Sequence, residues 1–188
     1  MADRPTVLVI CGSLRKKSYN AALARTLPEL APPEMKLAPA PPHAGFPLYN
    51  DDVRISPGPP ADVLAFADAI RAADAVIIVS PEFNWSMPGP LKNAIDWVSK
   101  LDNQPFKDKP VALQSCSSGQ MGGGRMQYHL RMSLTGLDAQ ILGRPEIFVN
   151  FAAKKFDEST LELTDQAVKD IVRQQLAAFA TFIRRVKV

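Results

Sequence analysis

Short apolar runs alternate with longer segments of helical periodicity along this 188-residue chain. Residues 6–11, 75–79 and 110–116 are continuous β-branched and apolar runs, which are typical of parallel strands covered on both faces. Weaker runs predict a short strand near residues 35–38 and a last strand over 145–149. The apolar runs therefore predict five strands, one of them weak.

Between these runs, apolar residues recur at helical spacing. The predicted helices cover residues 19–27, 61–73, 91–101, 125–134 and 163–186. Pro28 is expected to end or bend the first of them. Seven prolines between residues 28 and 47 predict irregular surface there, and no internal repeat or linker is visible. Alternating strands and helices favour one α/β domain over residues 1–188, with a parallel sheet wound on both faces.

Composition and charge exclude several functional classes. The formal net charge of +3 is too small to indicate nucleic-acid binding, although it suits a small anionic ligand. The amino-terminal residues 1–10 carry charges before a short apolar run, so neither a signal segment nor a membrane span is expected, and the expected location is the cytoplasm. The two cysteines and two histidines lack metal-binding spacing, so no metal site is expected.

Three unusual loops follow the clearest strands. They are the first loop (12–20, GSLRKKSYN), the second loop (80–89, SPEFNWSMPG) and the third loop (115–124, SCSSGQMGGG). In a parallel α/β sheet, ligands bind outside the carboxyl ends of the strands, where the strand order switches. The three loops are therefore predicted to form one binding site.

The first loop combines hydroxyl, amide and guanidinium groups at a helix start, which is a pattern suited to phosphate. Its candidate residues are Ser13, Arg15, Ser18 and Asn20. An alternative interpretation is that the serine and asparagine only cap the helix and that the cations are solvated. The loop lacks both the Gly-Lys-Ser ending of a P-loop and Gly-x-Gly-x-x-Gly, so a compact monophosphate is favoured.

The second and third loops suit a flat ligand. Prolines preorganise the second loop, which also supplies polar and aromatic groups. These candidate residues are Pro81, Glu82, Phe83, Asn84 and Trp85. Both rings have an alternative interpretation as ordinary core residues. In the third loop, glycines leave the backbone unobstructed, and Arg125 at the next helix start is expected to need a carboxylate partner, such as one from another subunit.

The three segments GSLRKKSYN, PEFNWSMPGPLKNAIDW and GGGRMQYHLR resemble the NADPH-dependent FMN reductase family, in the family's order and over nearly the whole chain. This family comprises flavodoxin-like flavoenzymes that include quinone, chromate and azo-dye reductases. Phe83 departs from it, because a tyrosine is common at this position. The resemblance implies a three-layer sandwich with a five-stranded parallel sheet in the order 2-1-3-4-5.

The resemblance also implies roles for individual residues. It implies an FMN phosphate site at Ser13, Arg15, Ser18 and Asn20. It implies that the isoalloxazine ring and ribityl chain lie against Pro81, Glu82, Phe83 and Asn84, with Ser115, Ser118 and Gly119 on the other side. A homodimer or homotetramer is implied as well, with interface residues at Arg125, Tyr128 and Glu146.

The implied activity transfers hydride from NADPH or NADH through bound FMN to quinones, flavin, azo dyes or chromate, with ping-pong kinetics and no catalytic side chain. An alternative function is a flavodoxin-type single-electron carrier, although typical carriers are acidic and this chain is basic. A redox regulator that uses Cys11 and Cys116 is a weaker alternative. In the order 2-1-3-4-5 their strands lie two spacings of about 4.8 Å apart, beyond the roughly 7 Å that a disulfide spans.

Overall fold

The structure, a computed structural model, describes residues 4–186. Its strands are β1 Thr6–Cys11, β2 Lys36–Pro39, β3 Ala75–Val79, β4 Pro110–Cys116, β5 Gln140–Ile141 and β6 Ile147–Val149. Its helices are α1 Tyr19–Leu30, α2 Asp51–Ile55, α3 Ala61–Ala72, α4 Gly89–Ser99, α5 Gly124–Thr135 and α6 Gln166–Val186, with a 3₁₀ turn at Ala152–Lys154. The strands form one parallel sheet in the order β2-β1-β3-β4-β5, with β6 also paired to β4. This confirms the flavodoxin-like strand order.

Hydrophobic residues on the two faces of the sheet form two separate core clusters. Val7 and its same-face neighbours pack with α1 and α6, whereas Leu8 packs with α3, α4 and α5 on the opposite face. Every residue of β3 and β4 is buried, because helices cover both faces of these central strands. The three layers are therefore helix, sheet and helix, as the alternating pattern predicts.

The last position of the sheet differs from the prediction of a single strand over residues 145–149. Two short strands share this edge: β5 pairs with the beginning of β4 and β6 with its end. Gln114 of β4 pairs with Val79 of β3 on one side and with Ile147 of β6 on the other, so β4 lies between β3 and β6. Gly143 and Pro145 lie between the two segments, and a proline has no N–H to donate to a ladder. A strand of only two residues leaves no periodic signal in the sequence.

The prediction that Pro28 ends or bends the first helix is wrong about the end, because α1 continues through Pro28 to Leu30. Proline inside a helix removes one backbone hydrogen bond and costs about 3 kcal/mol. Leu27 and Leu30 are nevertheless buried in the core, and each such burial contributes about 1.5–3 kcal/mol. Packing of the last turn therefore outweighs the local preference for ending the helix.

The sheet places the three loops at one rim. Cys11 lies beside Val79, and Val79 lies beside Gln114, so β1, β3 and β4 end next to each other. Of the helices within residues 4–186, none is long and apolar enough to span a membrane.

Candidate functional site

The first and second loops are in contact where they leave the sheet. The backbone N–H of Gly12 donates to the carbonyl of Val79 at 2.9 Å, and that of Ser80 donates to Gln114 at 3.0 Å. A Cβ atom on Gly12 would lie 2.4 Å from Ser80 Oγ, which is closer than any real contact of that kind. Glycine at position 12 is therefore required for this close approach of the two loops.

Two of the predicted phosphate residues have structural partners within the chain. Ser18 is the N-cap of α1, and its Oγ accepts a hydrogen bond from the backbone of Ala21 at 3.2 Å. Asn20 is only 4% exposed, and its side-chain amide donates to the carbonyl of Cys116 at 2.8 Å and accepts from its N–H at 2.9 Å. Asn20 thereby joins the first loop to the end of β4. Contacts of Ser18 and Asn20 with a phosphate stay predictions.

The exposed part of the first loop is electropositive. Ser13 is half-buried, while Arg15, Lys16 and Lys17 are exposed. Among residues 4–186, Arg15 has no ion pair, and its Cζ lies 6.0 Å from the ring centroid of Tyr19. No acidic residue occupies the first turn of α1, so the partial positive charge of the helix start adds to these cations. This environment favours an anionic group.

The second loop contains a tight turn that presents two aromatic rings. Phe83 and Ser86 exchange backbone hydrogen bonds of 2.9 Å, and the two residues between them have positive φ angles, +49° at Asn84 and +67° at Trp85. Asparagine tolerates this conformation, whereas in a bulky residue such as tryptophan it is rare. Phe83 is 57% exposed and Trp85 is 65% exposed, so the interpretation of both rings as core residues is wrong.

An ion pair connects the second loop to the start of α5. Arg125 Nη1 lies 3.4 Å from Glu82 Oε1, so the carboxylate that Arg125 was expected to need is supplied by the same chain. The backbone N–H of Met126 donates to Glu82 Oε2 at 3.2 Å, which places an acid favourably at the helix N-terminus. The Arg125 guanidinium also lies 4.1 Å from the ring centroid of Trp85, which stabilises that strained residue.

The third loop is held by buried hydrogen bonds. Ser115 is fully buried; its Oγ donates to the carbonyl of Gly122 at 2.7 Å and accepts from Gln127 Nε2 at 2.8 Å. Gly123 has a φ of +88°, and a Cβ atom there would lie 2.7 Å from Ser115 Cβ. Ser115 therefore fixes the conformation of the third loop from its buried side. Gln127 is a further buried residue of this site, and its polarity within an apolar helix face is the signal for it in the sequence.

Ser118 and Gly119 are the exposed candidates in the third loop. The carbonyl of Gly119 accepts from the backbone of Phe151 at 3.3 Å, and a Cβ atom on Gly119 would meet only Ser117 Oγ, at 3.8 Å. The backbone at Gly119 is accordingly exposed and unobstructed, whereas Gly122, Gly123 and Gly124 are buried. A planar group can approach its backbone closely.

Neither cysteine has the environment of a reactive thiol. Burial raises the pKa of Cys11, and it raises the pKa of Cys116 to about 12. Both are free, and β3 separates their strands. Within the described part of the chain, no group of three or more His, Cys, Asp or Glu residues is arranged to hold a metal ion.

The chemistry of the rim fits a phosphorylated planar cofactor such as FMN. The first loop supplies cations and a helix start, the second loop supplies exposed rings, and the third loop supplies bare backbone. Gly12 lies against Ser80 of the second loop, Asn20 bonds to Cys116 of the third loop, and Glu82 bonds to the start of α5, which follows the third loop.

Comparisons with known proteins identify the family of this chain. The family model described as NADPH-dependent FMN reductase matches residues 5–154. The chain is 48% identical to a quinone reductase of Escherichia coli over the full length of both proteins. It is 44% identical to an NAD(P)H-dependent FMN reductase of Pseudomonas aeruginosa, again over the full length of both.

Among solved structures, the chain is similar to the flavoenzyme NAD(P)H:(acceptor) oxidoreductase FerB from Paracoccus denitrificans. The TM-score is 0.85 at 32% sequence identity, and the match covers 96% of this chain and 98% of that protein. With the fold, the rim of loops and the sequence relatives in agreement, the chain belongs to the NADPH-dependent FMN reductase family.

Proposed function

We propose that the protein is an FMN-containing oxidoreductase that uses NADPH or NADH to reduce quinones and other small acceptors. The observation that carries this proposal is the convergence of an electropositive loop, an exposed aromatic turn and the exposed backbone at Ser118 and Gly119 at one rim of the sheet. The names of the relatives from E. coli and P. aeruginosa support the same activity.

In this proposal, Ser13 and Arg15 contact the FMN phosphate directly. Ser18 and Asn20 contribute at the same helix start, where they also hold the loop in place. The isoalloxazine ring and ribityl chain lie against the second loop, at Pro81, Glu82, Phe83 and Asn84. Ser118 and Gly119 contact the other side. Ser115 contributes indirectly, because its hydrogen bond to the carbonyl of Gly122 fixes the conformation of the third loop.

Bound FMN supplies the redox chemistry by taking electrons from the nicotinamide and passing them to the acceptor. The chain's own contribution is binding and orientation. Because the rim is open and its rings are exposed, a nicotinamide and a quinone can approach the same place in turn. The Glu82 carboxylate already accepts two hydrogen bonds, so this side chain acts in positioning and not as a proton carrier.

The flavin content and donor specificity of the purified protein test this proposal. We expect a yellow protein that releases FMN, oxidises NADPH or NADH, and needs a quinone for continuous turnover. Arg15→Met should weaken FMN binding about tenfold or more, since a charge-assisted hydrogen bond is worth roughly 1.5–3 kcal/mol. Arg185→Met, an exposed arginine on α6, is the matched control. Equal FMN affinity in the two variants would remove Arg15 from the site.

We also propose that the chain forms one domain and acts in the cytoplasm as a homodimer or homotetramer. Tyr128 and Met132 support association, because both large side chains are exposed on α5. The other two predicted interface residues have partners within the chain: Arg125 pairs with Glu82 and Glu146 with Arg131. Tyr128→Glu should lower the sedimentation mass, and an unchanged mass would exclude this helix face from the interface.

A further inference from the structure

A groove of about 560 Å³ lies beside the first loop, on the side away from the second and third loops. Its floor is formed by β1 and β2, at Val9, Cys11 and Leu37, and one wall is the face of α1 that carries Arg25 and Pro28. The opposite wall is the segment 39–44, which contains three prolines. The volume lies in the range of small-molecule sites, and the prolines make the wall rigid before any ligand binds.

The groove is mostly apolar and carries a single cationic side chain. Arg25 is the one arginine, lysine or carboxylate residue among those that line it. Among residues 4–186, Arg25 has neither a hydrogen bond nor an ion pair, although it is exposed. Burial lowers the pKa of His43, which also lines the groove, and this favours its neutral form. The groove therefore combines an apolar body with one unpaired positive charge.

We propose that this groove binds a small organic anion, namely an aromatic or alicyclic monocarboxylate. The apolar part of the ligand contacts Val9, Leu37 and Pro28, and the carboxylate pairs with the Arg25 guanidinium. The lining includes no residue of the second or third loop and shares only Ser13 with the proposed FMN site, so the groove is a neighbouring site that does not depend on the proposed function. It also includes Leu14, so the first loop borders the groove.

Titration calorimetry with 2-naphthoate, on the protein with and without saturating FMN, tests the proposal. We expect one site per chain in both conditions, and binding at least tenfold weaker for the neutral 2-naphthamide. Arg25→Met, which keeps the apolar stem, should weaken 2-naphthoate binding at least tenfold, whereas Arg185→Met should leave it unchanged. Equal affinity of acid and amide, or no effect of Arg25→Met, would overturn the assignment. Displacement of 2-naphthoate by FMN would overturn it as well.

The two thiols locate the bound probe. Cys11 lines the groove and is half-buried, whereas Cys116 is buried elsewhere and serves as the internal reference. Above the ordinary thiol pKa of about 8.5, 2-naphthoate should slow the alkylation of Cys11 severalfold, but not that of Cys116. Unchanged alkylation of Cys11 at saturating probe would place the anion outside the groove. Protection that rises with protein concentration in the absence of probe would show that a second copy covers the groove, and would also overturn the proposal.

Discussion

The double hydrogen bond between Asn20 and Cys116 is expected to be a principal link between the first loop and the sheet. Asn20→Ala removes a donor at 2.8 Å and an acceptor at 2.9 Å, both buried. Each buried backbone group left unpaired costs about 1–3 kcal/mol, so the two groups of Cys116 together cost about 2–6 kcal/mol. Because a water molecule can enter the vacated space and restore part of this, we expect a total loss of about 2–4 kcal/mol.

Asn93 offers a matched control for this prediction. Its side chain accepts from the backbone of Tyr49 at 2.8 Å and donates to the carbonyl of Pro47 at 2.9 Å, so it also makes one bond as acceptor and one as donor with backbone groups. Asn93 lies on α4 and is half-exposed, so water can replace its bonds. We expect Asn93→Ala to lower the free energy of unfolding by about 1 kcal/mol and to leave FMN affinity unchanged.

Urea denaturation followed by circular dichroism measures the stability of both variants, and FMN titration measures binding. The larger loss expected for Asn20→Ala corresponds to a roughly 30- to 700-fold increase in the unfolded fraction. Its FMN affinity should also fall, because the first loop loses its attachment to β4. A loss equal to that of Asn93→Ala, with wild-type FMN affinity, would refute the reasoning.

Three further predictions concern other contacts. Gly12→Ala should destabilise the protein by about 1–3 kcal/mol through overpacking, and Ser80→Gly in the same chain should recover most of that loss in urea denaturation; no recovery would exclude this contact as the cause. Pro28→Ala should raise the free energy of unfolding by about 1 kcal/mol or more, because a helical hydrogen bond is restored, and a lower midpoint would contradict this. Because burial raises the pKa of Cys11 and Cys116, both should react with iodoacetamide more slowly than free cysteine at pH 8. Mass spectrometry should show that the rate rises with pH, and a rate equal to that of free cysteine would contradict this.

Most of the fold could be predicted from local patterns. The runs that became β3 and β4 are recognisable because both faces are covered, so every position along them is apolar or packed. The two residues of β5 are too few to form a pattern. Pro28 predicted a helix end that tertiary packing of Leu27 and Leu30 overrides, and this packing depends on core residues distant in the sequence.

The position of the candidate site could be predicted more fully than the role of each side chain in it. Loops that follow neighbouring parallel strands must meet at one rim, so the three segments could be grouped before any contact was known. A serine or asparagine in such a loop looks the same whether it binds a ligand or the chain itself. Asn20 finds its partner 96 positions away, and Arg125 finds Glu82 in the same chain; neither pairing is visible in the sequence.

Hydrogen exchange of the backbone, with and without FMN, tests the central claim that three separate loops hold one cofactor. On addition of FMN, the account predicts slower exchange in the first, second and third loops together, with a common dependence on FMN concentration. Segment 39–44, across the groove, serves as the internal reference and should exchange as before. Protection confined to one loop, or found mainly in segment 39–44, would contradict the account.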